Sequence, residues 1–122
     1  MDTDPTTRSE LTELRDALRA FAAARDWEQF HSPKNLAMAL AAEVGELVEP
    51  FRWLTETESA APDARTLEAV REEMADVLIF LVRLADRLDV DLADAVRAKM
   101  ALNESRYPVE RSRGRATKHD RL

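Results

Sequence analysis

Four acidic side chains stand in two pairs that share the same three-residue spacing. The pairs are Glu43 with Glu46 and Glu73 with Asp76. Residues three positions apart on an α-helix are neighbours on one face, with β-carbons roughly 5–6 Å apart. On a helical wheel Glu73 falls inside the apolar arc of its segment, whereas Glu43 and Asp76 border such arcs. If the two helices pack through these apolar stripes, four carboxylates share one pocket.

Such a pocket needs protons or a cation, because its carboxylates repel one another. At a separation of about 6 Å and an effective dielectric of about 20, each pair of charges costs roughly 3 kcal/mol. The chain has no Cys, and ligand sets made of oxygen alone select a hard cation such as Mg²⁺, which also retains waters and phosphate oxygens. The pattern predicts a phosphoryl-transfer site. The structural alternative is that these acids are solvated and paired with Arg52, Arg71 and Arg83.

Four helices must position these acids, and the sequence shows no internal repeat. Apolar residues recur every three or four positions along most of the chain, which contains only 2 Gly, and this pattern favours an all-α fold. The predicted helices run from about Ser9 to Arg25, from the cap Ser32 to about Leu54, from about Thr66 to Leu88, and from the cap Asp91 to about Tyr107.

The connections carry their own signals. Pro33 suits the first position of the second helix, where a missing N–H costs nothing. Pro50 removes the bond to the carbonyl of Glu46, so this helix is predicted to kink or to end early near Glu49. Residues 55–65 carry acids, Pro62 and small residues, and predict a mobile loop. The basic stretch 109–122 lacks apolar periodicity.

Composition predicts one domain over residues 1–122, with a helical core at about 9–107 and a basic tail at 108–122. The formal net charge of -6 argues against a dedicated nucleic-acid binder, because such affinity depends on cations that neutralise phosphates. No apolar run reaches the length that a membrane span needs, and Met1 to Glu10 do not have the pattern of a signal peptide. We therefore expect a cytoplasmic protein without membrane or nucleic-acid partners.

The ordered acidic motifs resemble a known family. Glu43-Val-Gly-Glu46 followed by Glu73-Met-Ala-Asp76 is similar to the ExxE…ExxD signature of the all-α, MazG-like nucleotide pyrophosphohydrolases. The similarity spans roughly residues 27–118. The segments that resemble the dCTP pyrophosphatase branch in particular are 30–35, 43–53, 72–81 and 99–108.

The resemblance implies a four-helix-bundle-type core that binds one or two Mg²⁺ ions, for which Mn²⁺ can substitute, and that assembles as a dimer or tetramer. It implies hydrolysis of a deoxynucleoside triphosphate, with dCTP or a modified dCTP favoured, to the monophosphate and pyrophosphate. This activity would serve nucleotide-pool sanitation. The positions that match the family's metal ligands and catalytic acids are Glu43, Glu46, Glu73 and Asp76.

The resemblance also implies substrate contacts in two groups. The phosphate-side positions share a narrow sector of the predicted fourth helix: Lys99, Asn103 and Arg106. Tyr107, directly after them, is also expected to contact the substrate. The positions that resemble those around the base and sugar flank the second helix or lie within it: Trp27, His31, Asn35 and Trp53.

The residues leave two rival functions open. One is a related helical hydrolase that acts on dUTP or another phosphate ester through the same carboxylates. The other is a non-enzymatic dimerisation or regulatory module whose acids form only surface ion pairs. The sequence does not choose between Glu43 and Glu46 as the residue that orients the attacking water, nor does it fix the base.

Overall fold

The computed structural model describes residues 9–122, and within this range it is built from helices and turns without a β-strand. The all-α prediction is confirmed. Residues 1–8 of the predicted domain lie outside the described residues. The helices are α1 (Glu10–Ala24), α2 (Pro33–Val48), α3 (Glu56–Ala60), α4 (Ala64–Arg87), α5 (Leu92–Arg106) and α6 (Val109–Ser112), with 3₁₀ turns at Glu28–Phe30, Glu49–Phe51 and His119–Arg121.

Side-chain caps start each of the long helices. The Ser32 hydroxyl accepts a hydrogen bond from the Asn35 N–H at 3.1 Å, and Pro33 follows at the first helical position. The Asp91 carboxylate accepts from the Asp94 N–H at 3.0 Å. Each cap satisfies a backbone N–H that has no partner inside the helix. Both predicted caps are therefore confirmed.

Pro50 ends the second helix sooner than its apolar pattern suggests. Helix α2 stops at Val48, and a 3₁₀ turn carries the chain through Pro50. The continuation to Leu54 is therefore wrong, whereas the early end near Glu49 is confirmed, because proline cannot donate the next helical hydrogen bond. Trp53 consequently lies beyond the end of α2.

The segment predicted as a mobile loop contains a short helix, α3. The Thr55 hydroxyl accepts from the Glu58 N–H at 3.1 Å, and the Thr55 N–H donates to the Glu58 carboxylate at 2.8 Å. This reciprocal pair is a capping box, which stabilises a helix start even in a short, polar segment. The loop prediction missed it because Pro62 and the small residues outweighed the local Thr-x-x-Glu signal.

The chain divides into two compact units, one up to Asp89 and one from Val90 to Leu122. In the first unit α4 packs mainly against α2 and also against α1. Its buried apolar residues lie on these three helices: Ala22, Leu36, Val70, Val82 and Ala85. The second unit contains α5, α6 and the last 3₁₀ turn, so the tail is partly helical. That all 122 residues form one domain stays a prediction.

Part of the apolar stripe on α4 remains at the surface of the single chain. Leu67 is 54% exposed and Met74 is 57% exposed, although Val70 between them is buried. One chain therefore covers only part of this stripe. Among the described helices, none combines the length and apolar character that crossing a bilayer requires.

Candidate functional site

The candidate site is formed where α2 and α4 run side by side in opposite directions. Glu43 of α2 lies close to Glu73 and Asp76 of α4. Just beyond the end of α2, Glu49 and Pro50 line a cleft together with residues 65 and 66, at the start of α4. Along this contact, residue numbers rise in α2 as they fall in α4, so the two helices are antiparallel. This arrangement brings the two acidic pairs to the same seam.

Three of the four acids converge. One carboxylate oxygen each from Glu43, Glu73 and Asp76 lies within 4.8 Å of the other two. All three side chains are half-buried. The cluster is therefore close enough to share one cation, and it uses only oxygen donors.

Glu46 stands beside this cluster rather than in it. It is exposed, and it lines a cleft of about 340 Å³ together with Glu73. Arg65, in the first turn of α4, lines the same cleft. Arg65 was not predicted as a site residue, because its position falls in the segment that was predicted to be a loop. The signal that could have found it is Asp63, which caps the N-terminus of α4 and so places Arg65 in the first turn of that helix.

Glu73 has the least favourable surroundings for a charge. Its Oε2 atom is buried and has no hydrogen-bond partner among the described residues. Burial raises the pKa of the Glu73 carboxyl above its ordinary value, and the neighbouring carboxyl groups of Glu43, Asp76 and Glu46 raise it further. A buried oxygen without a partner costs free energy. A cation in the cluster would supply the missing partner.

Among the expected base and sugar positions, Trp27 and His31 lie together. Their rings make an edge-to-face contact, with centroids 6.4 Å apart. The Asn35 side-chain amide donates to the Phe30 carbonyl at 3.1 Å, which ties α2 to the connector that carries both rings. Trp53 is 81% exposed, and its ring contacts the guanidinium of its neighbour Arg52.

The expected phosphate-side positions belong to the second unit. Lys99, Asn103 and Arg106 lie on α5, and Tyr107 caps its end by donating its N–H to the Asn103 carbonyl at 2.8 Å. The Tyr107 ring packs edge-to-face against His119, with centroids 5.7 Å apart. No sequence pattern singles out His119, because the stretch after Pro108 carries no apolar periodicity.

Comparison with known families identifies the group to which this chain belongs. The MazG-like family model matches residues 38–122, which include both acidic pairs. The chain belongs to the MazG-like family. The family predicted from the acidic motifs is thereby confirmed.

Close relatives are known by their activity. The MazG-like chain is 51% identical over 115 residues to dCTP pyrophosphatase 1 of Mus musculus, covering 92% of this chain and 67% of that protein. It is 47% identical over 114 residues to dCTP pyrophosphatase 1 of Homo sapiens, with the same two coverages of 92% and 67%. These similarities extend over nearly all of the chain.

A solved structure agrees with the fold. The MazG-like chain superposes on the crystal structure of a pyrophosphatase from Archaeoglobus fulgidus with a TM-score of 0.79 and 39% sequence identity, covering 87% of this chain and 99% of that one. Together with the relatives, this shows that the chain is a hydrolase, a nucleotide pyrophosphohydrolase. The non-enzymatic alternative is therefore set aside.

Proposed function

We propose that this enzyme hydrolyses dCTP, or a dCTP with a modified cytosine, to the nucleoside monophosphate and pyrophosphate with the help of Mg²⁺. The observation that carries the proposal is the convergence of Glu43, Glu73 and Asp76, where a buried Glu73 oxygen has no hydrogen-bond partner in the described part of the chain. The dCTP preference is supported by the names of relatives that are 47% and 51% identical. Removing such nucleotides would sanitise the nucleotide pool, and we place the activity in the cytoplasm, where that pool is used.

The donor set fits Mg²⁺. Hard oxygen ligands suit this ion, and Mn²⁺ can take the same ligands. Glu43, Glu73 and Asp76 would hold one ion, and Glu46 at the edge of the cleft adds the fourth carboxylate that a second ion would need. When bound, the metal neutralises triphosphate oxygens and favours attack at phosphorus. A cation would also relieve the repulsion that raises the pKa of Glu73.

Glu46 is the acid that we assign to the attacking water. It lies outside the group of three but lines the same cleft as Glu73. One of its two carboxylate oxygens can therefore accept a hydrogen bond from water while the other is available to a second ion. The water then attacks the α-phosphorus, its proton passes to Glu46, and the bond from the α-phosphorus to the bridging oxygen breaks. Pyrophosphate leaves with that oxygen. A carboxylate within hydrogen-bond reach of the water is what such a step needs.

The remaining substrate contacts follow the family resemblance. We assign the triphosphate to the donors that lie on α5 or at its end, and the base and sugar to the group around the second helix. The phosphate-side residues are Lys99, Asn103, Arg106 and Tyr107. The base-side and sugar-side residues are Trp27, His31, Asn35 and Trp53.

We further propose that the enzyme is a homodimer or homotetramer. The exposed apolar residues Leu67 and Met74 on α4, and Val48 at the end of α2, support this assembly. A second copy that covered them would complete the burial that one chain leaves unfinished. We propose no nucleic-acid or membrane partner, since the formal net charge is -6.

A nucleotide panel tests the proposed reaction. The enzyme is incubated with each dNTP and NTP, dUTP included, with Mg²⁺ and with Mg²⁺ plus EDTA, and the products are separated by chromatography. We expect dCTP to give dCMP and pyrophosphate at the highest kcat/KM, with no turnover in EDTA. Formation of diphosphate and orthophosphate, or activity that survives EDTA, would contradict the proposal.

A further inference from the structure

Arg83 is a buried cation close to the end of α4. Only 2% of its surface is exposed. Its guanidinium donates through Nη1 to the Asp86 carboxylate at 3.1 Å, and its Nη2 lies 4.0 Å from the Glu28 carboxylate. Nε and the same Nη2 each lie 3.3 Å from Nδ1 of His31. Arg83, Asp86, Glu28 and His31 all belong to the first compact unit.

The contact with His31 determines where the imidazole carries its proton. A guanidinium has N–H donors and no acceptor, so Nδ1 of His31 must accept the hydrogen bond. An accepting Nδ1 has no proton, and the neutral ring therefore carries its proton on Nε2. Both orientations of the guanidinium fork, through Nε or Nη2, lead to the same tautomer.

The groups that face His31 also oppose a second proton. Burial lowers the pKa of His31 below its ordinary value, and the positive charges of Arg83 and Arg87 lower it further, while Glu28 acts in the opposite direction. Trp27 contributes a ring edge rather than a charge. The imidazole is therefore held neutral by its neighbours and fixed in orientation by Arg83 on one side and Trp27 on another.

Arg83 is not needed to balance Asp86. Arg19 of α1 makes two hydrogen bonds to the Asp86 carboxylate, and this interaction is the main reason that the pKa of Asp86 is lowered. Asp86 would thus keep a cationic partner without Arg83. For Nδ1 of His31, the bond from Arg83 is the one that the structure gives.

We propose that Arg83 is a positioning residue that holds His31 as a neutral imidazole with its Nε2–H free to donate to the nucleoside. The proposal rests on the proposed function, in which His31 contacts the base and sugar. A neutral N–H donor matches a carbonyl oxygen, ring nitrogen or hydroxyl oxygen, whereas a phosphate is better matched by a cation. His31 therefore recognises the nucleoside and not the triphosphate.

The tautomer can be measured without turnover. Long-range ¹H–¹⁵N spectra distinguish a protonated from an unprotonated ring nitrogen, and the chain has only 2 His, so a His119→Gln variant assigns the signals. We expect Nδ1 of His31 to be unprotonated and the ring to titrate below the ordinary value of 6.5. A proton on Nδ1, or a titration at or above that value, would overturn the proposal.

Two variants on the same helix separate the hydrogen bond from the charge. Arg83→Met removes both, whereas Arg87→Met removes only a charge, since Arg87 is exposed and acts on His31 through space. For Arg83→Met we expect mixed His31 tautomers and a KM for dCTP raised roughly tenfold, as the loss of one oriented hydrogen bond implies, with kcat within about twofold. Arg87→Met should leave the tautomer and KM unchanged.

An unchanged tautomer and KM in Arg83→Met would contradict the positioning role. If that variant does not fold, Arg83→Lys provides the second comparison, because it retains the charge but replaces the planar fork with a single ammonium group. We expect Arg83→Lys to raise KM as well, and a wild-type KM in this variant would equally refute the proposal. If the enzyme does not hydrolyse dCTP, the proposed function fails, and the wild-type spectra still decide the tautomer.

Discussion

Glu73 is the residue whose position is hardest to explain without a metal ion. One of its oxygens is buried and has no hydrogen-bond partner among residues 9–122. Burial raises its pKa, and three acidic neighbours raise it further. Glu72 beside it is exposed. The wheel could separate the two from sequence, because one falls inside the apolar arc of its helix and the other points away. It could not show that Glu46 stands outside the group of three, since that depends on side-chain positions across two helices.

Replacing Glu73 by Gln should abolish most of the activity and leave the fold intact. Gln fills the same space but lacks the charge that holds the cation, and we expect turnover of dCTP to fall at least about 100-fold. Mg²⁺ should raise the melting temperature of the wild type and not that of the variant. Steady-state kinetics and thermal unfolding with and without Mg²⁺ measure both effects. Glu72→Gln is the matched control, and an equal loss in both variants would argue against a ligand role for Glu73.

The raised pKa of Glu73 also predicts how stability depends on pH in the metal-free protein. A carboxyl whose pKa is higher in the folded than in the unfolded state binds its proton more tightly when folded. Its charge therefore destabilises the fold above the folded pKa, and this penalty disappears as pH falls toward the ordinary value of 4.5. In EDTA, Glu73→Gln should be more stable than the wild type at neutral pH, with the difference shrinking on acidification. Denaturant unfolding measures it, and a pH-independent difference would refute the explanation.

At the scale of the helices, ends that depend on one local signal could be predicted from sequence. Ends at which two signals compete could not. Ser32 and Asp91 cap helices as expected, because a cap depends on a few neighbouring residues. Pro50 and the Thr55-x-x-Glu58 box are equally local, but each competes with a longer pattern around it. The apolar periodicity favoured continuing α2, and the small residues favoured a loop where α3 forms. Local hydrogen bonding decided both cases, because Pro50 has no N–H to continue α2 and the Thr55–Glu58 capping box starts α3.

The capping box makes α3 a specific test of that explanation. Thr55→Ala removes the hydroxyl that accepts from the Glu58 N–H, and we expect it to lower the free energy of unfolding by about 1 kcal/mol. Amide exchange should accelerate across Glu56–Ala60. Thr57→Ala, in an exposed position of the same helix, is the control. Equal protection of α3 in both variants and the wild type would show that the box does not hold this helix.

At the scale of the whole molecule, the family, the all-α class and the two helices that carry the acidic cluster could be predicted from sequence. A wheel assigns faces to helices, but it does not say what covers each face. Leu67 and Met74 belong to the apolar stripe of α4 and yet remain more than half exposed. Helical periodicity alone cannot distinguish burial inside one chain from burial between chains.

The assembly prediction follows from this uncovered stripe. We expect light scattering at micromolar concentration to give two or four times the chain mass of 13.8 kDa. Hydrophobic contact between copies would supply the free energy for this association. A mass of one chain under these conditions would contradict the oligomer, without affecting the assignment of the acids.

The most direct test of the metal site is anomalous diffraction from crystals grown with Mn²⁺ and a non-hydrolysable dCTP analogue. We predict a Mn²⁺ peak within about 2.0–2.2 Å of carboxylate oxygens from Glu43, Glu73 and Asp76, a distance typical of small divalent cations on oxygen ligands. A peak bound only elsewhere, with these three carboxylates turned to solvent or paired with arginines, would contradict the account.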